Sequence, residues 1–178
     1  MKMNFYNQCM LNLIRTFILS FFLLVGCQGN NNTNPDSQSK DEGRLPQIQL
    51  SDLNDQAVQL ENYKGKTVFI NFWATWCKPC VEEMPSIERA QGILKNENVI
   101  FLMASSESIE EIKAFKGNHG FEFNYVQLEN PETLNLQALP TTFIINPDGK
   151  LVFSEMGSRN WDETANINLI KNKIKQHE

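Results

Sequence analysis

The chain has 178 residues, with 16 Lys plus Arg against 21 Asp plus Glu and a formal net charge of −5. Once an N-terminal leader and a polar linker are set aside, roughly 135 residues remain, enough for one well-buried core and too few for a second domain. The acidic balance excludes nonspecific nucleic-acid binding, which depends on basic patches that neutralise phosphates.

Lys2 and Arg15 accompany an apolar run from Phe17 to Val25 that ends in Leu24-Val25-Gly26-Cys27. As a helix this run is too short to cross ~30 Å of bilayer hydrocarbon, so it reads as the core of a signal peptide. Residues 1–26 are therefore expected to form a leader, 27–43 a polar tether and 44–178 the folded domain. The tether is almost devoid of apolar side chains, so burial cannot offset the entropy of ordering it. Leu24-Val25-Gly26-Cys27 resembles the bacterial lipobox, which implies a lipid-modified Cys27 as the first mature residue. With an added N-acyl chain it would carry the two lipid signals that stable anchoring requires. The expected location is the cell envelope, on the periplasmic side of a membrane.

The domain opens with alternating segments Ile48 to Leu53 and Ala57 to Leu60 around Asn54-Asp55, the pattern of a β-hairpin. Thr67 to Trp73 is β-branched and aromatic throughout much of its length, as a buried central strand requires. Met84, Ile87, Ala90, Ile93 and Leu94 give helical spacing between about Pro79 and Lys95. Val99 to Ala104 reads as the next buried strand, and Ile109, Ile112 and Phe115 support a helix from about Ser108 to Lys116. Gly117 to Gly120 breaks the pattern and places His119 in a solvated loop. Phe123 to Leu128 is a short strand. Thr141 to Ile145 and Lys150 to Phe153 flank the turn signal Asn146-Pro147-Asp148-Gly149. A last helix, opened by Trp161, runs from about Asp162 to Gln176 on Ile167, Ile170 and Ile174. This order predicts an α/β domain with a mixed central sheet covered on both faces.

Of the four cysteines, Cys9 leaves with the leader and Cys27 is taken by lipid, so Cys77 and Cys80 carry any thiol chemistry. A disulfide between them closes so short a loop that it constrains the unfolded chain little, which makes a structural staple a poor explanation. Cys77 falls where strand becomes helix, near unpaired backbone N–H groups and the positive end of the helix dipole. A thiolate, the reactive form of cysteine, is stabilised there. Cys80 follows one helical turn later, within reach for a disulfide. An exposed Cys77 would attack a target disulfide and a more buried Cys80 would resolve the mixed disulfide. Zinc needs three or four protein ligands, and His119 and His177 lack the spacing to complete a set, so neither metal nor cofactor is expected.

Phe72-Trp73-Ala74-Thr75-Trp76-Cys77-Lys78-Pro79-Cys80, then Pro85 and Leu139-Pro140-Thr141-Thr142, together resemble the thioredoxin superfamily. More narrowly they resemble its TlpA/ResA-like membrane-attached thiol-disulfide oxidoreductases, from about Leu45 to the C-terminus. The resemblance implies a thioredoxin-like fold, with Cys77 attacking and Cys80 resolving. It implies a cis-proline at Pro140, with the Leu139 backbone offered to a bound polypeptide, and a proline within the active-site helix at Pro85. Trp73 and Trp76 are read as shielding the disulfide and giving a bound polypeptide an apolar docking surface, with Trp73 as core the alternative. Asn71 departs from thioredoxin, which has a buried aspartate there. A neutral amide cannot take a proton from Cys80, and the ResA-like pattern assigns that task to Glu83, whose alternative is a solvated charge like its neighbour Glu82.

The resulting expectation is a monomeric, extracytoplasmic reductase or isomerase of protein disulfides. It would draw electrons from a membrane thiol donor, and kinship suggests a role in cytochrome c maturation. Two alternatives compete. A thiol peroxidase would need a Pro-x-x-x-Thr-x-x-Cys arrangement, absent around Cys77, and a copper metallochaperone would want wider cysteine spacing and further soft ligands.

Overall fold

The computed structural model describes residues 47–175. The expected leader with Cys9, the tether with Cys27, and His177 lie outside the described residues. Among those described, no helix is long and apolar enough to cross a membrane.

Strand β2 (Thr67–Phe72) is buried along its whole length. Successive side chains of a strand point to opposite faces, and β2 divides accordingly. Val68, Ile70 and Phe72 enter one apolar cluster, whereas Phe69 and, just past the strand, Trp73 enter the other. Asn71 shares the parity of Phe69 and Trp73. This alternation puts a single amide on the face that three helices cover.

Around β2 lie β1 (Leu50–Asp52), β3 (Val99–Ser105), β4 (Asn124–Leu128), β5 (Thr141–Ile145) and β6 (Leu151–Met156). They form one six-stranded sheet in the order β1-β4-β3-β2-β5-β6. β3 runs parallel to β2 and β4, while β5 is antiparallel to both β2 and β6. β1 pairs antiparallel with β4. The second arm of the expected N-terminal hairpin shrinks to one bridge, Ser51 to Ala57. The cause is local: Asp52 Oδ1 accepts the amides of Asn54 and Gln56 at 2.8 and 2.9 Å, and Asp55 adopts a φ of 61°. The turn is spent within these residues, and the chain then winds into a 3-10 turn at Leu60–Tyr63.

Among the described residues three α-helices, α1 (Lys78–Ile93), α2 (Ile109–His119) and α3 (Thr164–Lys175), all feed the cluster around Phe69. Met84, Ile87 and Ala90 come from α1, Ile112 and Phe115 from α2, Ile167 and Ile170 from α3. Trp161 meets Phe69 edge-on at a centroid distance of 4.7 Å. It is fully buried and lies before α3 instead of opening it. The cluster on the opposite face is closed mainly by side chains from turns, among them Leu60, Tyr63, Leu134 and Leu136.

His119 is not in a loop. It closes α2, stacks on Phe115 at 3.9 Å, and its Nδ1 lies 3.0 Å from the Phe115 carbonyl. The αL residue that ends the helix is Gly120, with φ 68°, so the glycine signal marked the helix end one turn later than the apolar periodicity did. At the other end Ser108 accepts the Glu111 amide at 3.3 Å, and Glu111 accepts the Ser108 amide at 2.9 Å, a reciprocal capping box. Ser108→Ala is expected to lower stability by about 1 kcal/mol, readable as a reduced urea midpoint with unchanged slope. An unchanged midpoint would show that the box contributes nothing.

Candidate active site

β2 ends at Phe72, whose neighbours in register are Ala104 on β3 and Thr141 on β5. The two parallel strands therefore finish side by side, and the loops that leave them meet outside their carboxyl ends, where ligand sites of parallel sheets form. Thr75 and Glu107 stand equally far beyond Phe72 and Ala104. The Glu107 carboxylate accepts both the Thr75 amide at 2.7 Å and its hydroxyl at 2.6 Å. Ser105 donates to the same carboxylate at 3.0 Å, so the loop carrying the first cysteine is pinned to the end of β3.

Cys77 is the N-cap of α1. Its carbonyl accepts the Val81 amide at 3.1 Å, while Pro79 occupies a first-turn position. Proline has no N–H, so the Lys78 and Cys80 amides are the orphan donors left near the Cys77 sulfur. Cys77 and Cys80 are joined as a disulfide, with Cα atoms 5.3 Å apart. Cys77 was expected to be exposed, but it is only 4% accessible, against 0% for Cys80. Both cysteines belong to the core cluster that holds Met84 and Trp73, and the slight access that remains is at Cys77, the residue that precedes the first turn of α1.

Glu83 lies one turn beyond Cys80 and is 3% exposed, so it is not the solvated charge that a lone helical glutamate usually is. Asn71 Nδ2 donates to its Oε1 at 2.8 Å. The Arg159 backbone amide and the Trp161 indole N–H donate to its Oε2 at 3.0 and 3.3 Å. Burial pushes the carboxyl above the usual glutamate range, and these three donors, which favour the charged form, oppose that shift. Asn71 also donates to Thr142 Oγ1 at 3.1 Å, and its own Oδ1 is buried without a partner. Glu82, by contrast, is exposed and forms an ion pair with Lys78 at 3.6 Å. Such surface pairs contribute little, and Lys78 adds little to the field at Cys77.

The Leu139–Pro140 peptide is cis. Pro140 is buried and adjoins Thr141, the residue paired with Phe72, which places the cis bond beside the strand end that leads to the cysteines. Its carbonyl accepts the Gly157 amide at 2.8 Å. The Leu139 side chain packs against both core clusters. Trp76 is 73% exposed, whereas Trp73 is buried against Phe115 and Tyr125. Pro85 lies inside α1, where it cannot donate to the Val81 carbonyl.

The sequence model of the AhpC/TSA family matches residues 42–154. The chain belongs to that family. Within it, the chain is similar to the thiol-disulfide oxidoreductase ResA of Bacillus subtilis, with 37% identity over 111 residues, covering 60% of this chain and 62% of that protein. ResA of Geobacillus thermodenitrificans is 35% identical over 136 residues, covering 74% of this chain and 72% of the relative. These matches make the chain a member of the ResA-like thiol-disulfide oxidoreductases.

Solved structures agree on the fold of this family member. The thioredoxin domain of a thiol-disulfide oxidoreductase from Bacteroides vulgatus superposes with a TM-score of 0.63 at 21% identity, covering 75% of this chain and 98% of that domain. A thiol:disulfide interchange protein from Chlorobium tepidum gives 0.60 at 21% identity, covering 74% and 96%.

Sequence reasoning brought Cys77, Cys80, Glu83 and Pro140 to this end of the sheet but missed Glu107, Arg159 and the indole of Trp161. Glu107 was within reach of a register argument, since parallel strands of matched length bring their following loops together. Arg159 and Trp161 carry no local signal, because they meet Glu83 across 76 and 78 residues of chain.

Proposed function

We propose that this ResA-like oxidoreductase is an extracytoplasmic reductase or isomerase of protein disulfides, working through Cys77 and Cys80. The observation that carries the reading is the pair itself: two cysteines joined at the start of α1 and unequal in access, with a buried carboxyl, Glu83, one helical turn further on.

In the reductive direction the Cys77 thiolate attacks one sulfur of a substrate disulfide. The substrate S–S bond breaks, a Cys77–substrate disulfide forms, and the departing thiolate takes a proton from water. The Cys80 thiol then loses its proton to Glu83, a carboxyl whose raised affinity for protons brings it nearer the working pH than an exposed glutamate. The Cys80 thiolate attacks Cys77 Sγ and expels the second substrate thiolate, leaving the Cys77–Cys80 disulfide. Two electrons pass from the protein to its substrate, and a membrane dithiol donor restores them. The polypeptide substrate docks against exposed Trp76 and pairs with the Leu139 backbone beside Pro140. A lipid on Cys27 holds a monomer at the membrane surface, and kinship to ResA makes cytochrome c maturation the process we favour.

The reduced full-length chain is expected to reduce insulin and precipitate its B chain while forming the Cys77–Cys80 disulfide, and to consume no hydrogen peroxide. Failure to turn over insulin, with both thiols inert to a model disulfide, would overturn the assignment.

A further inference from the structure

The turn of α1 from Glu83 to Ser86 is fastened to a segment remote in sequence, residues 157–161. Ser86 Oγ has the Glu83 carbonyl at 2.7 Å and the Arg159 carbonyl at 3.2 Å as acceptors for its one O–H, and accepts the Trp161 amide at 3.0 Å. The Arg159 amide and Trp161 indole complete the connection on Glu83 Oε2 at 3.0 and 3.3 Å. The segment is itself rigidly held. The Arg159 guanidinium engages the Glu155 carboxylate and donates to Asn166 Oδ1 at 2.7 Å. It also lies over the rings of Phe153 and Trp161, 5.6 and 5.8 Å from their centroids. Trp161 is wedged edge-on against Phe69, so its N–H has a fixed direction.

Core packing accounts for a buried ring at position 161, but it does not require that ring to aim a donor at a buried carboxylate. The indole N–H of buried Trp73 has no partner, whereas that of Trp161 is given one, and the acceptor is Glu83, the residue assigned to Cys80. We propose that Trp161 is a positioning residue for the redox site: seated by the Arg159 clamp, its indole N–H holds Glu83 under the cysteine pair and sets when that carboxyl accepts and releases a proton. This rests on the reading of Glu83 as the proton acceptor of Cys80.

The groups that bear on Glu83 come from four elements. Asn71 on β2 and, through it, Thr142 on β5 are neutral. Cys77 and Cys80 are the titratable groups at the start of its own helix. Arg159 follows β6, and its positive charge is matched by Glu155 on that strand. With these unchanged, removing one donor to the carboxylate favours the protonated form.

The test is the titration of the Glu83 side chain, followed by carbon-13 NMR in the oxidised full-length chain, with Glu83→Gln assigning the resonance. Trp161→Phe keeps a ring against Phe69 and deletes the N–H. Its Glu83 midpoint is expected to rise by about one pH unit, on the scale of a hydrogen bond to a charged group. The pH profile of thiol reactivity in the reduced protein should shift with it. Benzothienylalanine incorporated at position 161 preserves the bicyclic shape without the N–H and should give the same displacement if the phenylalanine variant does not fold. A midpoint equal to that of the unaltered protein in either folded variant would overturn the proposal. Failure of the underlying reading is distinct: Glu83→Gln would then leave the thiol profile unchanged, whatever Trp161 does to the carboxyl.

Discussion

Cys77→Ala is expected to abolish disulfide reduction, by about 10⁴-fold or more as for the loss of other catalytic nucleophiles, whereas Cys80→Ala is expected to complete the first half of the reaction and accumulate a mixed disulfide with its target. The asymmetry follows from where α1 begins. Cys77 caps the helix, so its sulfur lies at the positive end of the dipole with the Lys78 and Cys80 amides unspent, an arrangement that favours a negatively charged sulfur once the disulfide is reduced. Cys80 lies a turn deeper with no accessible surface and can reach only a sulfur already bonded at position 77. A non-reducing gel of each variant mixed with an oxidised protein substrate distinguishes the roles. Equal trapping by both variants, or by the Cys77 variant alone, would reverse the assignment.

Asn71→Asp is expected to turn a quiet site into one that depends steeply on pH. The new carboxyl would replace an amide nitrogen that stands 2.8 Å from Glu83 Oε1. Two buried carboxylates so close cannot both ionise, so the pair keeps one proton well above the usual carboxylate range and titrates as a unit. The folded protein then holds a proton that the unfolded chain has released, and stability falls as pH rises. The contribution is fully present below the ordinary carboxylate pKa. It is lost at about 1.4 kcal/mol per pH unit until the shared proton departs. Urea midpoints from pH 4 to 9 measure the effect as a widening gap between the variant and the unaltered protein. Parallel curves would mean that the two carboxyls do not meet. The same direction, more weakly, holds for Glu83 itself, since its carboxyl is raised by burial and restrained by three donors.

The sheet and the cysteine pair were legible because both are written in short-range patterns. The run Thr67 to Phe72 has no polar residue except Thr67 and Asn71, and it lies at the sheet centre. Cys77 and Cys80 meet because one helical turn separates them, which needs no tertiary information. The capping box of α2 could be read from Ser108 and Glu111 alone. Long-range placement was less accessible. That β1 prefers β4 to its own hairpin partner depends on a strand more than seventy residues away, in register at Leu50 with Leu128. Glu83 was singled out by resemblance, yet its environment was invisible, because two of its three donors come from a segment after β6 that sequence presents only as polar residues around a tryptophan. His119 shows the opposite error: glycines on either side suggested a loop, but Gly117 is tolerated inside α2 and only Gly120 takes the left-handed conformation that ends it.

The strict alternation along β2 limits how this protein can diversify. Adding or deleting one residue between Thr67 and Phe72 would rotate every later side chain to the other side of the sheet, sending Asn71 away from Glu83 and an aromatic ring toward it. Natural drift and laboratory redesign of the redox chemistry are thus confined to exchanging residues at fixed length. The solvent-facing pair Lys78-Pro79 is where such exchange disturbs the least packing.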